Sequence, residues 1–315
     1  MQDLVDGLNS ALWLSPAVLG VLGLLVGSFL NVVIYRKPVI MMRGWVMSTA
    51  EMLVDGEEIP LALGKPQPQE YTALGEQLIA ELEALPHLGI ATPRSRCSHC
   101  GHQIRWYENL PIVSWLALRG RCSSCKTPIS IRYPIVEAAT GALFALAAWR
   151  FGPQLSTLAW CAAFALMISM ALIDADTKYL PDDLTYPLLW GGVIVAMLGW
   201  TIPLQASIWG IVAGFVPLWL IAEGFRLAMN REGLGGGDLK LLAALGAWTG
   251  WQGVLPIILL ASIVGLCVHL PRAMMGASAR GKQFPFGPFL VGGGLIVMLV
   301  GASTCLEWIG VSVPG

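Results

Sequence analysis

Charge is what this chain has least of. Asp, Glu, Lys and Arg make up 12% of its 315 residues, about half of the ~25% usual in a soluble domain. Such a shortage excludes an ordinary water-soluble fold. The formal net charge is −1, so nucleic acid is not an expected partner. A basic leading segment is missing too: MQDLVDG is acidic where a cleaved signal would be basic. The first apolar run leads straight into Arg36 and Lys37 and reads as a permanent anchor. No internal repeat is found, which excludes solenoid and array architectures.

What is present is apolar sequence, 56% hydrophobic with 13 Trp, a ring that favours bilayer interfaces. A helix crosses ~30 Å of hydrocarbon with about 20 apolar residues. Eight such stretches occur, at about 14–35, 134–151, 155–173, 184–201, 206–229, 238–250, 252–271 and 287–310. The sixth is short and glycine-led. The expected fold is an all-α polytopic membrane protein of about eight transmembrane helices, with membrane lipid around it. With the amino terminus outside, Arg150 alone among the 19 Lys and Arg residues falls on the outer side. The positive-inside rule then puts both termini in the periplasm and the basic flanks in the cytoplasm.

Three parts follow along the chain. Residues 1–36 form the first anchor, 37–133 a cytosolic domain, and 134–315 a seven-helix membrane domain expected to carry the chemistry. The middle part holds 11 of the 19 basic residues, counting from Arg36. Within it Leu74, Leu78, Leu82 and Leu85 recur at helical spacing beside Glu70, Glu76, Glu81 and Glu83, a short amphipathic helix with a solvated face.

Four cysteines stand as Cys97-x2-Cys100 and Cys122-x2-Cys125. Each CxxC places two thiolates on one knuckle turn, and two knuckles complete a tetrahedral Zn²⁺ site. Disulfides are disfavoured in reducing cytosol, and no βαβ pattern supports a thioredoxin-like dithiol. The insertion between helices 1 and 2 is therefore read as zinc-ribbon-like, its zinc structural because all four positions are filled. Cys161, Cys267 and Cys305 lie in apolar runs and are read as packing residues.

Two carboxylates stand apart from the other acids. Asp174 closes the run LMISMALID, and Asp238 follows three glycines in LGGGDLK. An ionisable side chain at a membrane-embedded helix end is costly to hold and reads as functional. The topology above puts both on the cytoplasmic face. Asp238 is also open to a helix-capping role before Leu239. However, Gly233, Gly235, Gly236 and Gly237 exceed what a cap needs and would let a substrate backbone approach. No strand precedes these glycines, so a nucleotide-binding reading is weak. Asp182 or Asp183 reads as a helix N-cap, Asp176 as solvated, and Lys240 as topology alone. Ser28 and Asn31 share a face and are expected to hydrogen-bond to a neighbouring helix. Glu137 and Glu223 are interfacial or line the same cleft.

SFLNVVIYR, the double CxxC around ENLPIVSWLALRGRC, ID-x6-PD, GGGDLKLLAALGAWTG and PFGPFL together resemble the bacterial prepilin leader peptidases, membrane aspartic peptidases. The resemblance covers nearly the whole chain, residues 38–93 more loosely. It implies an enzyme of the bacterial inner membrane whose catalytic pair is Asp174 and Asp238. The implied substrates are type IV prepilins and type II secretion pseudopilins with short basic leaders. It also implies N-methylation of the new amino terminus from S-adenosylmethionine, for which no residue is assigned. An ion-coupled transporter predicts acids near mid-bilayer; a zinc-ribbon scaffold without chemistry predicts that both aspartates tolerate substitution.

Overall fold

In lipid every backbone N–H and C=O must find its partner within the protein, and helices do this within a single segment. The computed structural model is all-α and describes residues 12–56, 58–230, 235–274 and 284–311. The helices are α1 (Pro16–Asp55), α2 (Glu58–Leu63), α3 (Gln69–Glu83), α4 (Val113–Ala117), α5 (Arg132–Phe151), α6 (Leu155–Thr177), α7 (Asp182–Met197), α8 (Leu204–Met229), α9 (Gly236–Thr249), α10 (Trp251–Met274), α11 (Gly287–Val300) and α12 (Ala302–Trp308).

Each of the eight apolar stretches coincides with helix, but not all are spans by length and composition. α1, α6, α8 and the Trp251–Pro271 part of α10 are long and apolar enough to cross a membrane. α5, α7 and α9, of 20, 16 and 14 residues, are not among them. The eighth stretch is not one straight span. It breaks at Gly301, whose φ is +107°, and α11 and α12 meet at 107°.

The short α9 lies at the centre. Every residue from Leu241 to Thr249 is buried, with α7, α8, α10 and α11 packed around it. Lipid tails are as apolar as leucine, so helices in a bilayer associate through close packing of small residues. Gly210 of α8 and Gly246 of α9 meet backbone to backbone. One turn away, a Cβ on Gly214 would lie 2.7 Å from the Leu242 carbonyl and 2.9 Å from Ala243 Cα. α1 docks on α5 in the same way, since a Cβ on Gly23 would lie 2.7 Å from the Thr140 carbonyl. The expected polar contact is there as well: Asn31 Nδ2 donates to the carbonyl of Tyr133 at 3.2 Å.

α1 runs unbroken past residues 36 and 37 to Asp55, 40 residues in all, so one helix serves both the first apolar stretch and the polar insertion. α3 folds back along it. α3 buries its leucine stripe only in part: Leu74 is exposed, Leu78 and Leu82 are half-buried, and none is fully covered. Gly75 is the buried residue instead. The two axes come so close that a Cβ there would lie 2.7 Å from the Ala50 carbonyl.

Candidate functional site

α6 ends where Lys178 turns left-handed and donates its N–H to the Asp174 carbonyl at 2.8 Å. Asp174 thus occupies the last turn, and its side chain points into the bundle with only 5% of the residue exposed. Its Oδ2 accepts the backbone N–H of Gly287 at 2.9 Å. α9 begins with Gly235 as N-cap, so the capping role considered for Asp238 belongs to a glycine. Asp238 sits in the first turn, its N–H donating to the Gly235 carbonyl at 3.1 Å. Both aspartates come to one end of the bundle, where Gly237, beside Asp238, packs on Leu180, six residues after Asp174.

The glycines divide their work. A Cβ on Gly235 would stand 3.6 Å from Asp238 Oδ2, in the space in front of the carboxylate. A Cβ on Gly237 would press on Leu180 at 3.0 Å, so that position is bare for packing. Gly236 has open space around it. Gly233 lies outside the described residues.

The other acids at the α6–α7 junction each meet a basic residue, and none is an N-cap; Asp176, expected to be solvated, is exposed. Asp176 accepts from Arg132 Nη1 of α5 at 2.9 Å. The α7 N-cap is Pro181. Asp182, in the first turn, holds Lys240 of α9 with both oxygens at 2.8 Å, and Asp183 pairs with Lys37 of α1. Three ion pairs therefore tie this connection to three different helices. One of them anchors the lysine two residues after Asp238.

The cysteine region is built from two matching turns. The first closes through Cys97 N–H to the His102 carbonyl at 2.8 Å and the second through Cys122 N–H to the Thr127 carbonyl at 2.9 Å, each beside an isolated bridge. The residue after the second cysteine of each pair, Gly101 or Lys126, takes a positive φ of 73° or 61°. All four Sγ atoms lie within 4.8 Å of one another, and Cys97 and Cys125 Sγ are 3.8 Å apart. Four thiolates about 2.3 Å from a central zinc have edges of about 3.8 Å, so the donor set and its spacing fit a metal ion of that size. The side-chain hydroxyl of Thr127, 3.2 Å from Cys125 Sγ, with the Thr127 amide, holds that thiol down at about 5. The thiolate is the ligating form.

The model of the bacterial peptidase A24 N-terminal domain matches residues 21–151, and that of the type IV leader peptidase family matches residues 161–270. The first range contains the four cysteines, the second both aspartates. Curated relatives described as prepilin leader peptidase/N-methyltransferase match along most of their length. That of Burkholderia pseudomallei is 43% identical over 89% of this chain and 84% of its own. That of Neisseria gonorrhoeae is 43% identical over 88% and 87%, and that of Aeromonas hydrophila 38% identical over 96% of both. The chain belongs to the type IV leader peptidase family. No solved structure matches it.

Several residues that shape this leader peptidase were not expected from sequence. Arg36, read as a topological flank, is buried and donates to the carbonyls of Gly89, Ile90 and Pro93 at 3.0, 3.1 and 2.7 Å. Glu137, read as interfacial or lining the cleft, is buried, and its Oε2 accepts the Ile112 N–H at 2.7 Å, pinning the insertion to α5. Glu223 pairs within its own helix with Arg226 at 2.9 Å. Cys161 and Cys305 are buried as expected, but Cys267 is exposed on the outside of the bundle. In the insertion, Glu108 Oε2 accepts the Arg105 N–H at 2.8 Å and lies 3.3 Å from His102 Nε2. A cavity of about 600 Å³ lined by Trp160, Trp248 and Gly301 lies at the other end of α6 and α9 from the aspartates.

Proposed function

We propose that this family member cleaves the short basic leaders of type IV prepilins and type II secretion pseudopilins, with Asp174 and Asp238 as its catalytic pair. The observation that supports this reading is that two aspartates, from separate apolar helices, lie at one end of the bundle. Like charges held close cannot both ionise easily, so the pair shares one proton. The ionised member takes a proton from water as the water attacks the scissile carbonyl. The protonated member donates to the developing oxyanion.

Placement follows from charge. The enzyme sits in the bacterial inner membrane with its eight apolar segments embedded, both termini periplasmic and the aspartates at the cytoplasmic face. Residues 1–36 serve as anchor, 37–133 as the cytosolic domain and 134–315 as the membrane catalytic domain. A substrate leader stays in the cytoplasm by its charge while the following apolar helix lies in lipid, and cleavage falls at that boundary. The four cysteines hold a structural zinc, which crosslinks the two turns of the insertion. Methylation of the new amino terminus from S-adenosylmethionine rests on the names of the relatives, and no residue is assigned to the donor.

Asp174→Ala and Asp238→Ala are each expected to abolish cleavage of a purified prepilin while the protein accumulates normally. Full activity in either variant refutes the pairing. Product mass after incubation with a labelled methyl donor tests the second activity.

A further inference from the structure

We propose that Gly287, the first residue of α11, is a positioning residue that makes Asp174 the proton acceptor of the pair and leaves Asp238 as the proton donor. The proposal rests on the reading of these two aspartates as the reacting groups. It assigns their separate roles, and it rests on a residue beyond the 161–270 range matched by the peptidase model.

The surroundings of the two carboxylates differ. Asp174 Oδ2 accepts the Gly287 N–H at 2.9 Å. That N–H is one of those a helix leaves unpaired at its start, and it opens a helix of 14 residues whose amino end carries partial positive charge. A hydrogen bond of this kind favours the carboxylate over the acid. Among the described residues no such bond reaches the Asp238 carboxylate; the residue's own N–H goes to the Gly235 carbonyl. The ammonium of Lys240, two residues on, is held by both oxygens of Asp182 at 2.8 Å. A pair that shares one proton keeps it where the charge is least supported, on Asp238.

The bare Cα of Gly287 is what permits the contact. A Cβ there would lie 2.7 Å from Asp174 Oδ2 and 3.1 Å from its Cγ, so any side chain pushes the carboxylate away. With Oδ2 held, Oδ1 is left to receive a proton. As water attacks, its O–H bond breaks toward Asp174 while its oxygen bonds to the scissile carbon. The carbonyl π pair moves to oxygen, which takes the proton of Asp238. On collapse of the gem-diol, Asp174 returns its proton to the leaving nitrogen as the C–N bond breaks. Asp238 recovers its own from a diol hydroxyl, and both residues regain their starting states.

Cleavage of a purified prepilin by the full-length protein in detergent tests this with two sets of variants. Gly287→Ala should lower kcat by about 10²-fold, the cost of moving a reacting group by ~1 Å, with KM and thermal midpoint at parental values. Gly292→Ala in the same helix, where a Cβ meets nothing within 4 Å, should leave kcat unchanged. A loosened α11 would instead raise KM and lower the midpoint. Independently, Asp238→Asn should keep a residual rate at least about tenfold above that of Asp174→Asn. An amide can still donate a hydrogen bond to an oxyanion, but it cannot accept a proton from water. Parental kcat in Gly287→Ala, or the reverse order of the two Asn variants, overturns the assignment. Activity in Asp174→Ala or Asp238→Ala overturns the underlying pair instead, so the two failures are distinguishable.

Discussion

Gly214→Ala is the sharpest probe of how α8 holds α9, the helix that carries Asp238. The added Cβ would lie 2.7 Å from the Leu242 carbonyl oxygen and 2.9 Å from Ala243 Cα. Close C···O contacts in proteins begin at about 3.3 Å, so the shortfall is about half an ångström. Both obstacles are backbone, and no rotamer change relieves them; the two helices must part. Overpacking of this kind costs about 1–3 kcal/mol. Leu242 stands one turn after Asp238, so the displacement reaches the carboxylate. If a 1 Å misplacement costs roughly 100-fold, half of it costs about tenfold in kcat. Gly224→Ala provides the control on the same helix, because a Cβ there meets nothing within 4 Å. It should be neutral or stabilising by up to about 1 kcal/mol. The assay is thermal unfolding of detergent-purified protein beside prepilin cleavage. An unchanged midpoint and unchanged kcat in Gly214→Ala would refute the argument that glycine here sets the distance between the helices.

Two predictions concern the insertion. Cys122 is the buried member of its cluster; Cys122→Ser, or a strong chelator, should reduce bound zinc from about one per chain and open residues 97–129 to protease. Metal-free protein with unchanged resistance contradicts the site. Glu108 is held down at about 2, first by the Arg105 amide and then by Ser123 and His102. Its folded value lies below the ~4.3 of an unfolded chain. Its stabilising contribution is therefore present above about pH 4 and lost as pH falls from there toward about 2. The thermal midpoint of Glu108→Gln should lie below that of the parent at pH 7 and converge with it on acidification. A constant gap contradicts the linkage.

The acids show where reading a sequence stops. Asp174 and Asp238 stood out because each interrupts apolar sequence in which a charge has no other reason to be. Asp176, Asp182 and Asp183 did not, because acids in a polar connection have several ordinary uses. Their partners Arg132, Lys240 and Lys37 lie far off in the chain, where spacing carries no information. The leucine stripe of α3 told only part of the story for a related reason: periodicity marks an apolar face, and Leu78 and Leu82 are half-buried, but the close approach of α1 made Gly75 the fully buried contact. Arg36 was read by its charge alone, and its three carbonyl partners come from a loop more than 50 residues away.

By itself the sequence determined the membrane character, the all-helical architecture and the two cysteine turns, since each depends on composition or on spacing within a few residues. Only the tertiary structure decided which helix lies at the centre, that the last apolar stretch bends at Gly301, and that the amide of Gly287 meets Asp174. Those outcomes depend on distances of a few tenths of an ångström between segments far apart in the chain, set by where small residues let backbones touch.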